Sequence, residues 1–346
     1  MGVVVAMEQK TYQDLKKEVW ETGSCSGCGG CVAVCPADAI TFREIGDTSA
    51  PVQSGYCKQV TDGVACGACY AVCPRTVPPT TETLGNYIDL LAVKTTRDIP
   101  RRQSGGAVTG ILAHALDAGM IDAVVTIAED RFTMRPVSVV ITSSEQLIHE
   151  AGSRYSWWVP FLAALKTAVV NRKYNKIAIV GVPCTVQAVS RIRSSDNDLL
   201  KPYARSIRLV IGLFCTESFD YEALVGKKLK SEHNIATWEI KKLDVRGKLE
   251  VTMKDGSTFS FPMKELDEAV RTGCHHCTDT TALFSDISAG SVGSPEGYTT
   301  LIVRNLIGKS FLESAVQAGD LVTTGDVDPG AIEKLASAKI RKNSIN

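Results

Sequence analysis

Cysteine spacing constrains this chain more than any other feature. Eight of its 12 cysteines fall between residues 25 and 73, in two runs: Cys25-x2-Cys28-x2-Cys31-x3-Cys35-Pro36 and Cys57-x8-Cys66-x2-Cys69-x3-Cys73-Pro74. Three thiolates spaced like Cys25, Cys28 and Cys31 wrap one corner of an iron–sulfur cube, and the cysteine before proline serves the other cube of a two-cluster fold. The crossed rule predicts one [4Fe–4S] cluster on Cys25, Cys28, Cys31 and Cys73, and a second on Cys35, Cys57, Cys66 and Cys69. Cys57 has the weakest spacing argument, because eight residues separate it from Cys66. Gly27, Gly29 and Gly30 are expected to let the backbone approach the cluster. Zinc sites come as separated CxxC pairs, so a run ending in Cys-Pro with a partial copy after it favours iron–sulfur over zinc.

The other four cysteines lie far apart. Cys184 ends Gly181-Val-Pro-Cys between a predicted strand and a predicted helix, Cys215 follows the strand at Leu209–Phe214, and Cys274 and Cys277 form a CxxC in a loop. Singly, each reads as a small buried hydrophobe and the CxxC as a redox pair. Strand ends of an α/β sheet converge on one ligand-binding edge, and 12 cysteines divide into three quartets with none left over. That arithmetic favours a third [4Fe–4S] cluster on Cys184, Cys215, Cys274 and Cys277.

Composition narrows the setting. Lys plus Arg equals Asp plus Glu at 38 each among 346 residues. Zero formal charge argues against nucleic acid or an anionic membrane surface as the main partner, and suits a subunit of a complex. The apolar runs are too short to span a bilayer, and the N-terminus lacks the pattern of a secretory signal. A cytoplasmic location is expected, peripheral to a membrane only through partner subunits. Clustered cysteines there serve as metal ligands rather than disulfides.

Residues 7–22 read as an amphipathic helix, and Thr76-Val-Pro-Pro-Thr-Thr as a linker. Beyond it, strands are predicted at Ala123–Ala128, Val137–Ile141, Ile177–Val182, Ile207–Phe214 and Thr299–Val303. Helices are predicted at Ala107–Ala118, Trp157–Asn171, Thr185–Ile192, Tyr221–Ser231, Lys309–Ala318 and Ala331–Ala338. The alternation is that of an α/β domain. The predicted organisation is an α+β ferredoxin-like module over 1–80, fused to a larger α/β domain over 81–346. A small β insertion is placed at about 236–262, with a hairpin turning at Asp255-Gly256.

Three glycine-containing loops interrupt the larger domain: Arg101-Arg-Gln-Ser-Gly-Gly-Ala-Val-Thr-Gly, Ala151-Gly-Ser-Arg-Tyr-Ser and Ser291-Val-Gly-Ser-Pro-Glu-Gly. The first opens a helix, where exposed N–H groups and the helix dipole favour an anion. It matches neither the dinucleotide fingerprint nor a P-loop, so alone it reads as a plain turn. Several such loops together suggest a large phosphate-bearing ligand.

Read together, six segments resemble the beta subunits of coenzyme F420-reducing hydrogenases and dehydrogenases. They are Gln103-Ser-Gly-Gly-Ala-Val-Thr, Ala151-Gly-Ser-Arg-Tyr, Gly181-Val-Pro-Cys, Gly212-Leu-Phe-Cys, Cys274-His-His-Cys-Thr-Asp and Ser285-Asp-Ile-Ser-Ala-Gly-Ser-Val-Gly. With its fused two-cluster N-terminus the chain looks most like the electron-input subunit of the F420H2 dehydrogenase. The resemblance implies that the larger domain binds FAD, that the last four cysteines hold a cluster, and that the deazaflavin F420 is the hydride partner. By the same carry-over, Ser104, Gly105, Gly106 and Thr109 would help bind FAD. Gly152, Ser153, Arg154, Tyr155, Thr185 and Gln187 would line the flavin site, with Arg154 where lysine is as readily expected.

The implied reaction is oxidation of reduced F420 and delivery of single electrons to a partner. That partner would be a dehydrogenase, hydrogenase or heterodisulfide reductase-type complex, or a ferredoxin. No catalytic acid or base is required. His275 and His276 read as cluster or flavin contacts or as plain loop histidines. His114 and His149 read as structural. Arg101 and Arg102 read as anion contacts or as a solvated pair. Two other functions remain open: a ferredoxin-dependent reductase of another organic substrate such as a tetrapyrrole, and a relay subunit without catalysis. The resemblance also implies an archaeal, anaerobic, methanogenic setting.

Overall fold

The computed structural model describes residues 9–43 and 50–344. The cysteine-rich segment is built from short pieces: α1 Tyr12–Leu15, running on as a π-helical turn Lys16–Trp20, then α2 Gly30–Val34, strands β1 Ile40–Thr41 and β2 Val52–Gln53, α3 Lys58–Asp62 and α4 Ala68–Ala71. A capping box starts α1, with the Thr11 side chain accepting from the N–H of Gln13 and Asp14 reaching back to the N–H of Thr11. The predicted first helix therefore lies within Tyr12–Trp20; its residues 7 and 8 lie outside the described residues.

The larger part contains β3 Asp89–Thr95, α5 Ala107–Asp117, β4 Ala123–Glu129, β5 Pro136–Ile141, α6 Ser144–His149, β6 Ser156–Trp157, α7 Ala163–Lys166, β7 Ile177–Gly181, α8 Pro183–Ser194 and α9 Lys201–Ser206. After these come β8 Ile207–Leu213, β9 Phe219–Asp220, β10 Ile240–Val245, β11 Lys248–Met253, β12 Thr258–Pro262, β13 Ile287–Gly290, β14 Thr299–Val303, α10 Leu306–Gln317, β15 Leu321–Thr324 and α11 Pro329–Asn343. Eight strands form one mixed sheet in the order β15-β3-β14-β13-β8-β7-β4-β5. The four central strands β13, β8, β7 and β4 are parallel, and β3 runs with them because both β3 and β13 pair antiparallel to β14. Their carboxyl ends share one edge, from which the chain continues into the segments carrying Cys184, Cys215 and the Ser104–Gly106 turn.

Strand residues alternate between two cores, as a pleated strand requires. Ile177, Ile179 and Val210 face one cluster, with α7, α8 and Tyr203. Ala178, Leu209 and Ile211 face the other, with α5 and α10. The first cluster also contains Cys28, Ala33, Val34, Ala68 and Val72. The cysteine-rich segment thus completes a layer on the sheet, and the chain boundary near residue 80 is no boundary of the core. Tyr203 donates to the carbonyl of Ala33 at 2.9 Å, Trp157 to that of Gly27 at 3.0 Å and Arg191 to that of Ala71 at 2.7 Å.

All five predicted strands are present. The helix predicted over Trp157–Asn171 is corrected: Trp157 lies in β6, paired with β9, and helix begins only at Ala163. Pro160 disfavours helical backbone at the residue before it. The insertion is a three-stranded antiparallel sheet β10-β11-β12 rather than a hairpin alone. Its turn is as expected, with Gly256 at φ 89° and the Asp255 carboxylate accepting from the N–H and hydroxyl of Ser257. His114 is structural: it contacts Asp320 at 2.8 Å and Ser314 at 2.9 Å. His149 closes α6. Among the described residues no helix is long and apolar enough to cross a membrane.

Candidate metal centres and cofactor site

The structure gathers the 12 cysteines into three groups. Cys35, Cys57, Cys66 and Cys69 line one pocket, with Tyr12, Ala39 and Ile40 beside them. Cys31 sits among Cys25, Cys28 and Cys73, with Cys69 just beyond. This is the crossed grouping. The long spacing after Cys57 is filled by α3, which ends at Gly63 with φ 68°. The Gln59 side chain on α3 then accepts from the N–H of Gly67 at 2.8 Å, holding the next cysteine turn in place. Burial pushes the Cys25 thiol up to about 11 and the Cys69 and Cys73 thiols up to about 12. Such thiols give up their protons when a metal core supplies the compensating charge.

Two glycines of the first run are also required by packing. A Cβ on Gly27 would stand 2.2 Å from the Arg271 guanidinium, and one on Gly29 would stand 2.3 Å from Pro160. Both residues have positive φ, 71° and 78°. They make room for the α/β part of the chain and allow the left-handed turns.

Cys184, Cys215, Cys274 and Cys277 line a second pocket, together with Arg75, Arg271, Lys339 and Glu217. Cys184 is the second residue of α8, whose N-terminus has no side-chain cap. Its orphan N–H groups and dipole favour negative charge there. Burial pushes the Cys215 thiol up to about 12. Burial also opposes the Cys277 thiolate, but Lys339 and Arg75 outweigh it and the pKa falls below the ordinary thiol value. Arg271 stacks on Trp157 at 3.8 Å and donates to the carbonyl of Ser26 at 2.8 Å. His275 and His276 are half-buried beside the pocket. Burial, then Arg75, holds His276 below the usual imidazole range.

The three groups are neighbours. Cys184 feels the Cys28 thiol of the next quartet, and Cys31 feels Cys69 of the one beyond. Among the described residues no three His, Cys, Asp or Glu side chains gather as around a single ion.

Two of the glycine-containing loops meet. A Cβ on Gly152 would lie 3.6 Å from the carbonyl of Arg101, and the Tyr155 hydroxyl is 3.4 Å from Gln103. Gly106, at φ 68°, caps α5 without any side-chain hydrogen bond, so the first N–H groups of that helix, including those near Thr109, have no intrahelical partner. Gly105 is fixed by packing, since a Cβ would stand 2.2 Å from the carbonyl of Val93. Ser104 is itself at φ 49°. Arg154 Nη1 donates to the carbonyl of Gly152 at 2.5 Å, while its Nη2 is buried without a hydrogen-bond partner, 3.8 Å from an equally unpartnered Glu150 oxygen. Ser153 interacts with the Tyr155 hydroxyl. An orphaned guanidinium nitrogen, an uncapped helix start and a positive-φ glycine fit the phosphate end of a dinucleotide such as FAD.

Thr185 and Gln187 are held by other contacts. Thr185 is fully buried on α8 with its hydroxyl unpartnered, and Gln187 donates to Asp279 at 3.1 Å, two residues past Cys277. Both border the third cysteine group. Sequence reasoning missed Lys339 and Arg75 as residues of this pocket. Arg75 follows Cys73-Pro74 directly, a local signal, whereas nothing near Lys339 in sequence points to the site.

Known proteins match both parts of the chain. Residues 24–77 match a 4Fe-4S dicluster domain. Residues 90–166 and 174–328 match the N-terminal and C-terminal parts of the coenzyme F420 hydrogenase/dehydrogenase beta subunit. An uncharacterized protein of Methanocaldococcus jannaschii is 42% identical over 96% of this chain and 98% of its own length. A subunit of the F(420)H(2) dehydrogenase of Methanosarcina mazei is 32% identical over 94% of this chain and 92% of its own length. A chain of the F420-reducing [NiFe] hydrogenase complex from Methanosarcina barkeri superposes with a TM-score of 0.72 at 29% identity, covering 78% of this chain and 94% of that one. On these matches, which span both the cysteine-rich segment and the α/β part, this chain belongs to the coenzyme F420 hydrogenase/dehydrogenase beta subunit family.

Proposed function

We propose that this chain is an oxidoreductase that takes hydride from reduced coenzyme F420 and delivers single electrons to a partner protein, with FAD and three [4Fe–4S] clusters as its resident groups. The observation that carries this reading is the succession of neighbouring cysteine groups, from the carboxyl edge of the sheet into the cysteine-rich segment. When bound, FAD exchanges a hydride for single electrons and the clusters carry those electrons one at a time.

The chain's own residues hold, orient and shield. The N–H groups at the start of α5 and the Arg154 guanidinium would hold FAD phosphates, with Ser104, Gly105, Gly106 and Thr109 on one side and Gly152, Ser153 and Tyr155 on the other. Thr185 and Gln187, at the start of α8, would position the end of the flavin site that borders Cys184. The cysteines would ligate as grouped: Cys25, Cys28, Cys31 and Cys73; Cys35, Cys57, Cys66 and Cys69; Cys184, Cys215, Cys274 and Cys277. Residues 1–80 would serve as the electron-exit module and 81–346 as the flavin part. The related hydrogenase and dehydrogenase complexes support a redox complex as the acceptor, with the chain in the cytoplasm.

The test is anaerobic oxidation of reduced F420 by the purified chain, with added FAD and a one-electron dye. FAD-dependent bleaching of the dye is expected. A protein with full iron and flavin that does not oxidise reduced F420, alone or with its complex, would overturn the proposal in favour of a different organic substrate.

A further inference from the structure

Helix α11 lies past residue 328, where the matched family segment ends, yet it reaches the third cysteine pocket. Lys339 lines that pocket and is only 6% exposed. Its ammonium donates to the carbonyls of Cys215 at 2.8 Å and Asp279 at 2.7 Å. One turn on, Asn343 donates from Nδ2 to the carbonyls of Cys274 at 3.0 Å and Cys277 at 2.6 Å. Residues four apart share a helix face, so one face of α11 closes over all three cysteines of this group outside α8. Arg75 enters from the other side, donating to the carbonyls of Ser24 at 3.1 Å and Gly273 at 3.2 Å.

Of the carboxylates near this pocket, that of Glu217 pairs with Lys342 and that of Asp279 lies near Lys339 without a hydrogen bond to it. Among the described residues Lys339 and Arg75 donate to carbonyls, with the Cys277 sulfur as a further acceptor for Arg75, and neither forms an ion pair with a carboxylate. The nearby Asp279 carboxylate is turned to Gln187 and to the N–H of Leu283. Burying an ammonium without an anion is strongly unfavourable. Four thiolates around a metal core would supply the missing negative charge.

We propose that Lys339 and Arg75 form a cationic clamp, delivered in part by α11, that raises the reduction potential of the cluster on Cys184, Cys215, Cys274 and Cys277. The proposal rests on the reading of those four cysteines as cluster ligands. Reduction adds one electron and no proton to the cluster, so its negative charge grows by one. Fixed buried cations stabilise the reduced form more than the oxidised form. The clamp makes this cluster an easier first acceptor than its four thiolates alone would.

The test is a dithionite titration of the full, anaerobically reconstituted chain, followed by electron paramagnetic resonance, with iron counted in parallel. In Lys339→Met, one of the three reduction waves is expected at lower potential with iron unchanged, while the exposed Lys334→Met leaves all three in place. Arg75→Gln is expected to lower the same wave and Arg75→Lys to restore it. Unmoved waves in Lys339→Met at full iron content would overturn the clamp. If Lys339→Met loses the third cluster, the same two results in Arg75→Gln decide. A wild-type chain with only about eight irons would instead overturn the third-cluster reading itself, before any variant is compared.

Discussion

At the residue scale, burial raises the thiols of Cys25, Cys31, Cys69, Cys73, Cys184, Cys215 and Cys274 above the ordinary value, so their charged forms call for a compensating cation. Cys184 shows this most clearly, because burial drives its pKa well above the ordinary thiol value despite its place at a helix start. Changing Cys184 to Ala should remove about four irons per chain and leave about eight; an iron count equal to wild type would sink the third quartet. Arg154 is the corresponding residue for the flavin. Its Nη2 is a buried donor in search of an acceptor, and a hydrogen bond from a charged donor contributes about 1.5–3 kcal/mol. Arg154→Met should therefore weaken FAD retention by about tenfold or more while iron stays constant. Equal flavin affinity by anaerobic equilibrium dialysis would move the phosphate site elsewhere.

At the element scale, short helices and turns set the cysteine geometry. Gly29 precedes α2 in a left-handed conformation, with Pro160 packed where a side chain would start. Left-handed backbone alone costs a residue with a Cβ about 1–2 kcal/mol, and the contact with Pro160 adds to it. Gly29→Ala should lower unfolding free energy by about 2–3 kcal/mol, measured by anaerobic denaturant unfolding; a change under about 0.5 kcal/mol would mean that Pro160 gives way freely. Another element is held by a buried carboxylate. Asp286, just before β13, pairs with Arg193 of α8 through two 3.0 Å contacts and accepts from the N–H of Val210 in β8 at 2.7 Å. It fixes the register of β13, a strand that no local sequence signal marks. Ile-Ser-Ala-Gly has little β-forming character, and Gly290 is needed because Phe214 lies 2.0 Å from where its Cβ would be.

At the scale of the whole molecule, the cysteine-rich segment and the α/β part share a core, so they should unfold together. Cluster absorbance and far-ultraviolet circular dichroism are expected to report one transition. Tyr203→Phe, which deletes the bond to Ala33, should lower it by about 1 kcal/mol by both probes. Two separate transitions would show that the segment is an independent domain after all. The shared core also explains how the quartets become neighbours: α2, α4, α7 and α8 pack in one layer, bringing Cys28 against Cys184.

Sequence alone determined the two cysteine runs, the α/β alternation and the family, because ligand spacing and hydrophobic period are local properties of the chain. It also placed Cys184 and Cys215 at strand ends, since the strand-to-turn transitions around Gly181 and Gly212 are local too. Tertiary structure decided the rest. Only folding brings Lys339 within reach of Cys215, 124 residues away, turns Gly27 and Gly29 toward Arg271 and Pro160, and fuses the ferredoxin-like segment to the sheet. Those are long-range contacts, made by burial of surfaces that no spacing rule encodes.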